Sequence, residues 1–289
     1  MTPHTRRLNP AQRLASYSVL CLLAIPYLLP LLWMISTSLK GERQIFPGES
    51  SNLSPVSLSN VIPNPVQWRN YTDAMHAVPL LTYLRNTLFL CAVNVTGSVF
   101  SSAVVAYGFA RLKFRGRDTL LIVLLATMAI PGHVTMIPTF VLFQKLGWYN
   151  TFLPLTVPSF FGSALFIFLF RQFFITLPEE FSEAARLEGA GEWSIFWHLI
   201  LPLSKSVIAT CALFAFLGTW GDFMGPLLYM NDPNKYTLAY GLQQFSSAQD
   251  GKWAQLMAAS TVFTLPVIVL FFFAQRTFIQ GISTTGGKT

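Results

Sequence analysis

The stretch "LPEEFSEAARLEGAGEWSIFWHLILPL", residues 177–203, lies between two long apolar runs and carries Glu179, Glu180, Glu183, Glu188 and Glu192, five of the chain's 12 acidic residues. The rest of the chain has the opposite character. Of 289 residues, 53% are hydrophobic, 15% aromatic and 11% charged, against roughly 25% charged in soluble proteins. A dense acidic patch in such a chain must sit in water, so the stretch marks a place where an integral membrane protein leaves the bilayer.

Working outward from it, runs long enough to cross about 30 Å of hydrocarbon with about 20 helical residues occur at 15–39, 86–110, 119–144, 146–170, 206–230 with Asp222 inside, and 253–275. They are apolar all round, as lipid requires, instead of on one face, as a soluble core would leave them. The third and fourth are divided by Lys145 and the turn-like Gly147-Trp148-Tyr149-Asn150. At 1.5 Å per residue the two together are too long for one span. The first follows Arg6, Arg7 and Arg13 but is longer than a signal peptide's apolar region and ends without a small-x-small cleavage site, so it is expected to be an uncleaved anchor. These readings predict an all-α protein of six transmembrane helices. The chain divides into an N-terminus (1–14), a first span (15–39), a Ser-, Pro- and Asn-rich extracytoplasmic segment (40–85), a five-helix core (86–276) that includes 177–203, and a tail (277–289).

The net charge of +7 would suggest nucleic acid in a soluble protein; here the positions of the positive residues set the topology instead. With the N-terminus inside, Arg111, Lys113, Arg115 and Arg117 crowd one short cytoplasmic loop, and Arg171, Arg186, Lys205 and Arg276 join them. Most of the opposing residues, Lys40, Arg43, Arg69 and Arg85, lie in one long segment, which weighs less. Both termini are therefore expected in the cytoplasm, and 177–203 with them.

Within that stretch, Pro178 followed by Glu179 and Glu180 reads as a helix start, with acids at the positive end of the dipole. Phe181, Ala184, Ala185 and Glu188 recur at helical spacing. Gly189-Ala190-Gly191 permits a sharp bend, and a second helix carrying Trp193, Phe196, Trp197 and Leu199 runs from Glu192 to Pro202. The residues alone support two readings of this helix–bend–helix unit. One is an interfacial amphipathic loop; the other is a docking element for a protein. A lipid-facing helix favours Lys and Arg, whereas this one is net acidic, and small Ala184 and Ala185 allow close approach to a protein groove.

"EAARLEGAGEWSIFWHLILPL" resembles the EAA signature of bacterial ABC importer permeases. Glu183, Ala184, Ala185, Gly189, Leu201 and Pro202 match it, with Leu199 where isoleucine is usual, Ser206 where a proline is common and Glu188 where Asp is commoner. "YLRNTL", "AYGFARLKFRGR", "TWGDFMGPLL", "WAQLMAAS" and "QRTFIQG" extend the likeness over most of the chain. Together these resemble the shorter permease of the carbohydrate-uptake subfamily, the maltose and glycerol-phosphate importer type. Gly221-Asp222 departs from that family's usual Asn followed by an acid.

The resemblance implies the type I ABC importer permease fold, with a cytoplasmic coupling helix pair between helices 4 and 5. It implies that Glu183, Ala184, Ala185, Arg186, Gly189, Leu201 and Pro202 couple the chain to two separate ATPase subunits, Glu183 pairing with an arginine there. A second, homologous permease and an extracytoplasmic solute-binding protein complete the complex in the bacterial cell membrane. ATP and magnesium belong to the ATPases, so no cofactor, metal or catalytic residue is expected in this chain, and no nucleic acid as partner.

Asp222 stands out as an acid deep in a span, a costly position that marks either a cavity or a structural cap. Asn86, Asn94, His133 and Trp220 are further candidates to line a translocation path, although polar residues in spans more commonly bond helix to helix. The tail "GISTTGGKT" is not a Walker A loop, because Gly281 lies one residue too far from Gly287-Lys288 and no helix follows. An ion-coupled secondary transporter would need ion sites near the midplane, and apart from Asp222 the spans supply none. An intramembrane enzyme would have only His133 and Asp222 to work with.

Overall fold

The computed structural model describes residues 9–46, 61–247 and 252–285, and these are helical with no strand among them. In chain order the helices are α1 (Pro10–Ser38), α2 (Glu42–Ile45), α3 (Arg69–Ala77), α4 (Leu80–Arg111), α5 (Arg117–Ala126), α6 (Gly132–Lys145), α7 (Leu153–Thr156), α8 (Ala164–Phe174), α9 (Glu179–Leu187), α10 (Glu192–Ile195), α11 (Leu201–Leu203), α12 (Lys205–Trp220), α13 (Met224–Tyr229), α14 (Leu238–Ser247) and α15 (Trp253–Thr285). A π turn, Phe196–Ile200, joins α10 to α11. Arg6, Arg7 and Lys288, the middle of the extracytoplasmic segment, and the end of the glycine-rich tail lie outside the described residues.

Among the described residues, four helical stretches are long and apolar enough to cross a membrane: Pro10–Ser38, Leu80–Arg111, Leu153–Phe174 and Trp253–Phe273. Two more spans arise if each bent pair counts as one, Arg117–Ala129 with Gly132–Lys145 at 97° and Glu192–Leu203 with Lys205–Trp220 at 81°. Three of the expected spans are thus changed in shape. The third is broken at Ile130-Pro131, because the residue before a proline is pushed out of the helical region; Ile130 sits at φ −82°, ψ 115°. The fourth starts at Leu153 and not at 146, since Gly147 and Asn150 both adopt positive φ (71° and 58°) and hold the intervening residues in a turn. The fifth stops at Trp220 and restarts as α13 after Gly221-Asp222-Phe223.

The chain divides into two units, Met1–Val78 with Gln244–Thr264, and Pro79–Gln243 with Leu265–Thr289. In the first, α1 opens with a capping box between Asn9 and Gln12, and no residue of its apolar window is buried. Its far end is tied down: Asn70 donates to the carbonyls of Ser38 and Lys40, both at 2.8 Å, and the Ala254 N–H donates to Glu42 Oε1 at 2.9 Å.

The second unit is organised around α4. Gly97, Ser98, Ser101 and Ser102 supply small residues that let helices approach closely. Ser102 Oγ accepts the Ser163 N–H at 3.0 Å, Ser101 Oγ donates to the Ser159 carbonyl at 3.2 Å, and a Cβ on Gly97 would lie 2.6 Å from Ser159 Oγ. Toward the end of α4, Ala103, Ala106 and Tyr107 join Phe166, Ile167, Phe170 and Phe174 of α8 and Val207, Cys211 and Ala215 of α12 in one core. Ile195, Phe196 and Ile200 from the quoted stretch belong to the same core.

Candidate functional site: the helix pair at residues 177–203

α9 begins at Glu179 after Pro178, with Glu179 and Glu180 in its first turn and Arg186 in its last. It ends in a Schellman motif. The Ala190 N–H donates to the Ala185 carbonyl at 2.9 Å and the Gly189 N–H to the Arg186 carbonyl at 3.0 Å, while Gly189 takes φ +86°. That left-handed conformation costs an L-residue about 1–2 kcal/mol, which is why a glycine stands at the bend. Gly191 then caps α10 in extended conformation.

The two halves face different surroundings. On α9, Ser182 is fully buried and Ala185 and Arg186 are half-buried, whereas Phe181, Glu183, Ala184, Leu187 and Glu188 are exposed. Leu187 is 90% exposed. Phe181, Ala184 and Glu188 therefore share an open face, and Ala185 turns away from it. Beyond the bend the pattern reverses: Ile195, Phe196 and Ile200 are no more than 2% exposed. Phe196 meets Tyr107 of α4 at 5.3 Å between ring centroids, Trp193 stacks on Phe196 at 5.5 Å, and Trp197 stacks on Phe100 of α4 at 5.8 Å. Leu201 is half-buried and Pro202 exposed where α11 leads into α12. His198 is exposed, its Nδ1 3.1 Å from the Ser194 carbonyl.

The five acids divide accordingly. Glu179, Glu180, Glu183 and Glu188 are exposed, and none of them is ion-paired to a described residue within 4.0 Å. Glu192 is turned inward: its Oε1 accepts from Arg186 Nε at 2.7 Å and its Oε2 from the Tyr107 hydroxyl at 2.5 Å. The hydrogen bond from Arg186, with that from Tyr107 adding to it, outweighs partial burial and holds the Glu192 carboxyl below its ordinary 4.5. Nearby, Arg111 at the end of α4 donates to the carbonyls of Phe174 and Leu177, both at 2.7 Å, satisfying the end of α8. The sequence does not point to Tyr107, and it shows Glu192 and Arg111 only as an acid of the stretch and a topology-setting cation; a carboxylate directly after the glycine bend, six residues after an arginine, is the local signal for the Glu192 brace.

The candidates in the spans are not gathered into one site. Asn86 donates to the carbonyls of Asn234 and Tyr236 at 2.8 and 3.0 Å, which makes it a clamp between α4 and the segment before α14. Asn94 donates to Thr219 Oγ1 at 3.3 Å, and its own side-chain oxygen is buried without a partner. Trp220 is 2% exposed and stacked on Phe216 at 5.3 Å, so packing removes it from any open surface of this chain. Asp222 Oδ1 accepts the Gly225 N–H at 2.9 Å, capping α13, and a Cβ on Gly225 would collide with that carboxylate and with Leu155. His133 is exposed and lines an open cavity of about 320 Å³ with Thr135, Met136 and Thr139 of α6 and Met224, Leu228 and Tyr229 of α13. No cluster of three or more His, Cys, Asp or Glu able to hold a metal occurs among the described residues.

Comparison with known proteins gives a consistent result. The family profile described as "Binding-protein-dependent transport system inner membrane component" matches residues 98–284. The probable ABC transporter permease protein YurM of Bacillus subtilis (strain 168) is 30% identical over 270 residues, covering 93% of this chain and 86% of that protein. The maltose/maltodextrin transport system permease protein MalG of Vibrio vulnificus is 33% identical over 216 residues, 73% of each chain. Among solved structures, a chain of a bacterial ABC transporter involved in the import of the acidic polysaccharide alginate superposes with a TM-score of 0.78 at 22% identity, covering 94% of this chain and 99% of that one. This last likeness shows the fold, that of a type I ABC importer permease.

Proposed function

The chain belongs to the binding-protein-dependent transport system inner membrane components, and from that premise we propose that it forms half of the translocation path of an ABC importer for a sugar or a related polyol or sugar phosphate. A second permease completes the path, two ATPase subunits dock on residues 177–203, and a solute-binding protein delivers the solute on the extracytoplasmic side. Both termini face the cytoplasm, and residues 86–276 form the permease core behind an N-terminal anchor. This chain binds no nucleotide or cofactor of its own; ATP and magnesium are held by the ATPases. The sugar class follows what relatives such as MalG are named for.

The observation that carries the reading is the two-sided build of 177–203. An exposed half with Glu183, Ala184 and Leu187 free to meet a partner is joined through Gly189 to a half sunk in the core against α4 and α8. Arg186 reaches across that joint to Glu192, and Leu201 and Pro202 lead from the buried half into α12. ATP-driven closure of the ATPases then moves the element as a body and rocks the helices packed on it. In the path, His133 and the threonines of the α6–α13 cavity are the open polar groups that offer a solute hydrogen bonds, while Asp222 and Asn94 serve as structural supports.

Coexpression with the ATPase tests this. The ATPase should copurify with the wild-type chain and be lost with Glu183→Arg, because opposing like charge at a buried pair leaves an uncompensated ion, which costs about 3–5 kcal/mol. Ion-gradient-driven uptake by this chain alone, without an ATPase, would overturn the reading in favour of a secondary transporter.

A further inference from the structure

The proposed docking uses Glu183, Ala184 and Leu187 of α9 and leaves Glu192 unaccounted for. Its carboxylate binds two elements at once: Arg186 of α9 through Nε at 2.7 Å and Nη2 at 3.4 Å, and Tyr107 of α4 through its hydroxyl at 2.5 Å. The Arg186–Glu192 pair closes across the bend at Gly189, where nothing lies within 4 Å of the position a Cβ would occupy, and the same holds at Gly191. Apart from the backbone hydrogen bonds of the Schellman motif, this pair is the side-chain brace across an otherwise open turn. Side-chain exposures of 35% and 41% place it where ion pairs add little to overall stability. Its geometry, two hydrogen bonds from one guanidinium and a third from a neighbouring helix, is suited to fixing an angle.

We propose that Glu192 is a positioning residue for transport, locking α9 at a fixed angle to α10 and to the end of α4 through Arg186 and Tyr107, so that displacement of the docking helix is passed on to α4 and not absorbed at the Gly189 bend. The proposal rests on reading α9 as the ATPase-docking helix. It separates two roles within one acidic stretch: Glu183 engages the partner, and Glu192 stiffens the lever. Tyr107 packs its ring on Phe196, so its hydroxyl is a polar contact added to an apolar joint that would hold α10 in place without it.

The test uses the assembled complex of this permease with its partner permease and ATPases, with exposed Cys21 replaced by serine. Spin labels are placed at Glu180→Cys in the first turn of α9 and Lys113→Cys just beyond α4, both exposed positions outside the proposed docking residues. The distance distribution between them is recorded without nucleotide and with MgATP plus vanadate. With Glu192 intact it should stay narrow in both states, as for a rigid lever. With Glu192→Gln or Tyr107→Phe it should broaden at least about twofold, most strongly with MgATP plus vanadate, while the ATPase still copurifies. The exchange Arg186→Glu with Glu192→Arg should narrow it again. Tyr107→Phe keeps the ring packing, so it reports on the hydrogen bond even if Glu192→Gln fails to assemble. Distributions as narrow in both variants as in the parent would overturn the lever role with docking left standing. Failure of the ATPase to copurify with the unmutated chain would instead overturn the docking reading beneath it.

Discussion

α9 and the α10–α11 stretch are neighbours of similar length, both with bulky apolar residues, yet Leu187 is 90% exposed on one and Phe196 wholly buried on the other. The second is also the more apolar, with eight bulky apolar residues from Trp193 to Leu203 against Phe181 and Leu187 on α9, but what each residue packs against sets its exposure. Phe196, Ile195 and Ile200 enter a core made by α4, α8 and α12, while Phe181 and Leu187 face outward with Glu183 between them. An apolar residue held in the open beside a glutamate on a short helix is the kind of surface that the proposed docking would use.

Truncating one residue on each side should break the comparison apart most clearly. Phe196→Ala removes a fully buried ring and is expected to destabilise the protein by about 3–5 kcal/mol, read as a lowered thermal unfolding midpoint of the purified permease. Gly189→Ala comes next. It forces a side chain into φ +86° at about 1–2 kcal/mol and should lower the same midpoint by less. Leu187→Ala should leave the midpoint unchanged within about 0.5 kcal/mol, as exposed substitutions do, yet weaken ATPase copurification. Equal thermal shifts for Leu187→Ala and Phe196→Ala would erase the distinction between the two halves.

Much of this was legible in the chain itself. The helix–bend–helix at 177–203 follows from Pro178, the acids after it and the two glycines, because capping and backbone freedom are local properties that a sequence displays directly. Its division into an open and a buried half did not follow, since which side of a helix meets α4 depends on residues such as Phe100 and Tyr107, almost a hundred positions away. The broken third span had a visible cause in Pro131. The displaced start of the fourth was signalled only in part, by the turn-like residues 147–150, because Asn150 at positive φ is held by distant partners: its N–H donates to the Tyr229 carbonyl at 2.9 Å and its side chain accepts the Asn231 and Asp232 N–H groups at 3.1 Å. Among the polar residues in the spans, chemistry identified candidates and packing sorted them. Asn86 and Asp222 became structural bonds, Trp220 became core, and His133 stayed open.

The smallest expected effect concerns pH, and it sharpens the contrast between Glu192 and the exposed acids. Glu192 faces Arg186 across the bend and the Tyr107 hydroxyl from α4, with Glu179 acting on Arg186 from the start of α9. Its carboxyl titrates below its ordinary value in the folded chain, chiefly through the hydrogen bond from Arg186. For a depressed acid, the stabilisation is fully present above the unfolded-state value and is lost as pH falls through the folded-state value. The difference in unfolding midpoint between the parent and Glu192→Gln should therefore be constant between about pH 6 and about pH 8 and shrink only below the ordinary 4.5. It should also be small throughout, because a pair this exposed is screened by solvent. A difference that vanished already between about pH 7 and about pH 6 would mean that a group other than this carboxylate, such as a histidine, controls the joint, and the brace across Gly189 would then have to be sought elsewhere.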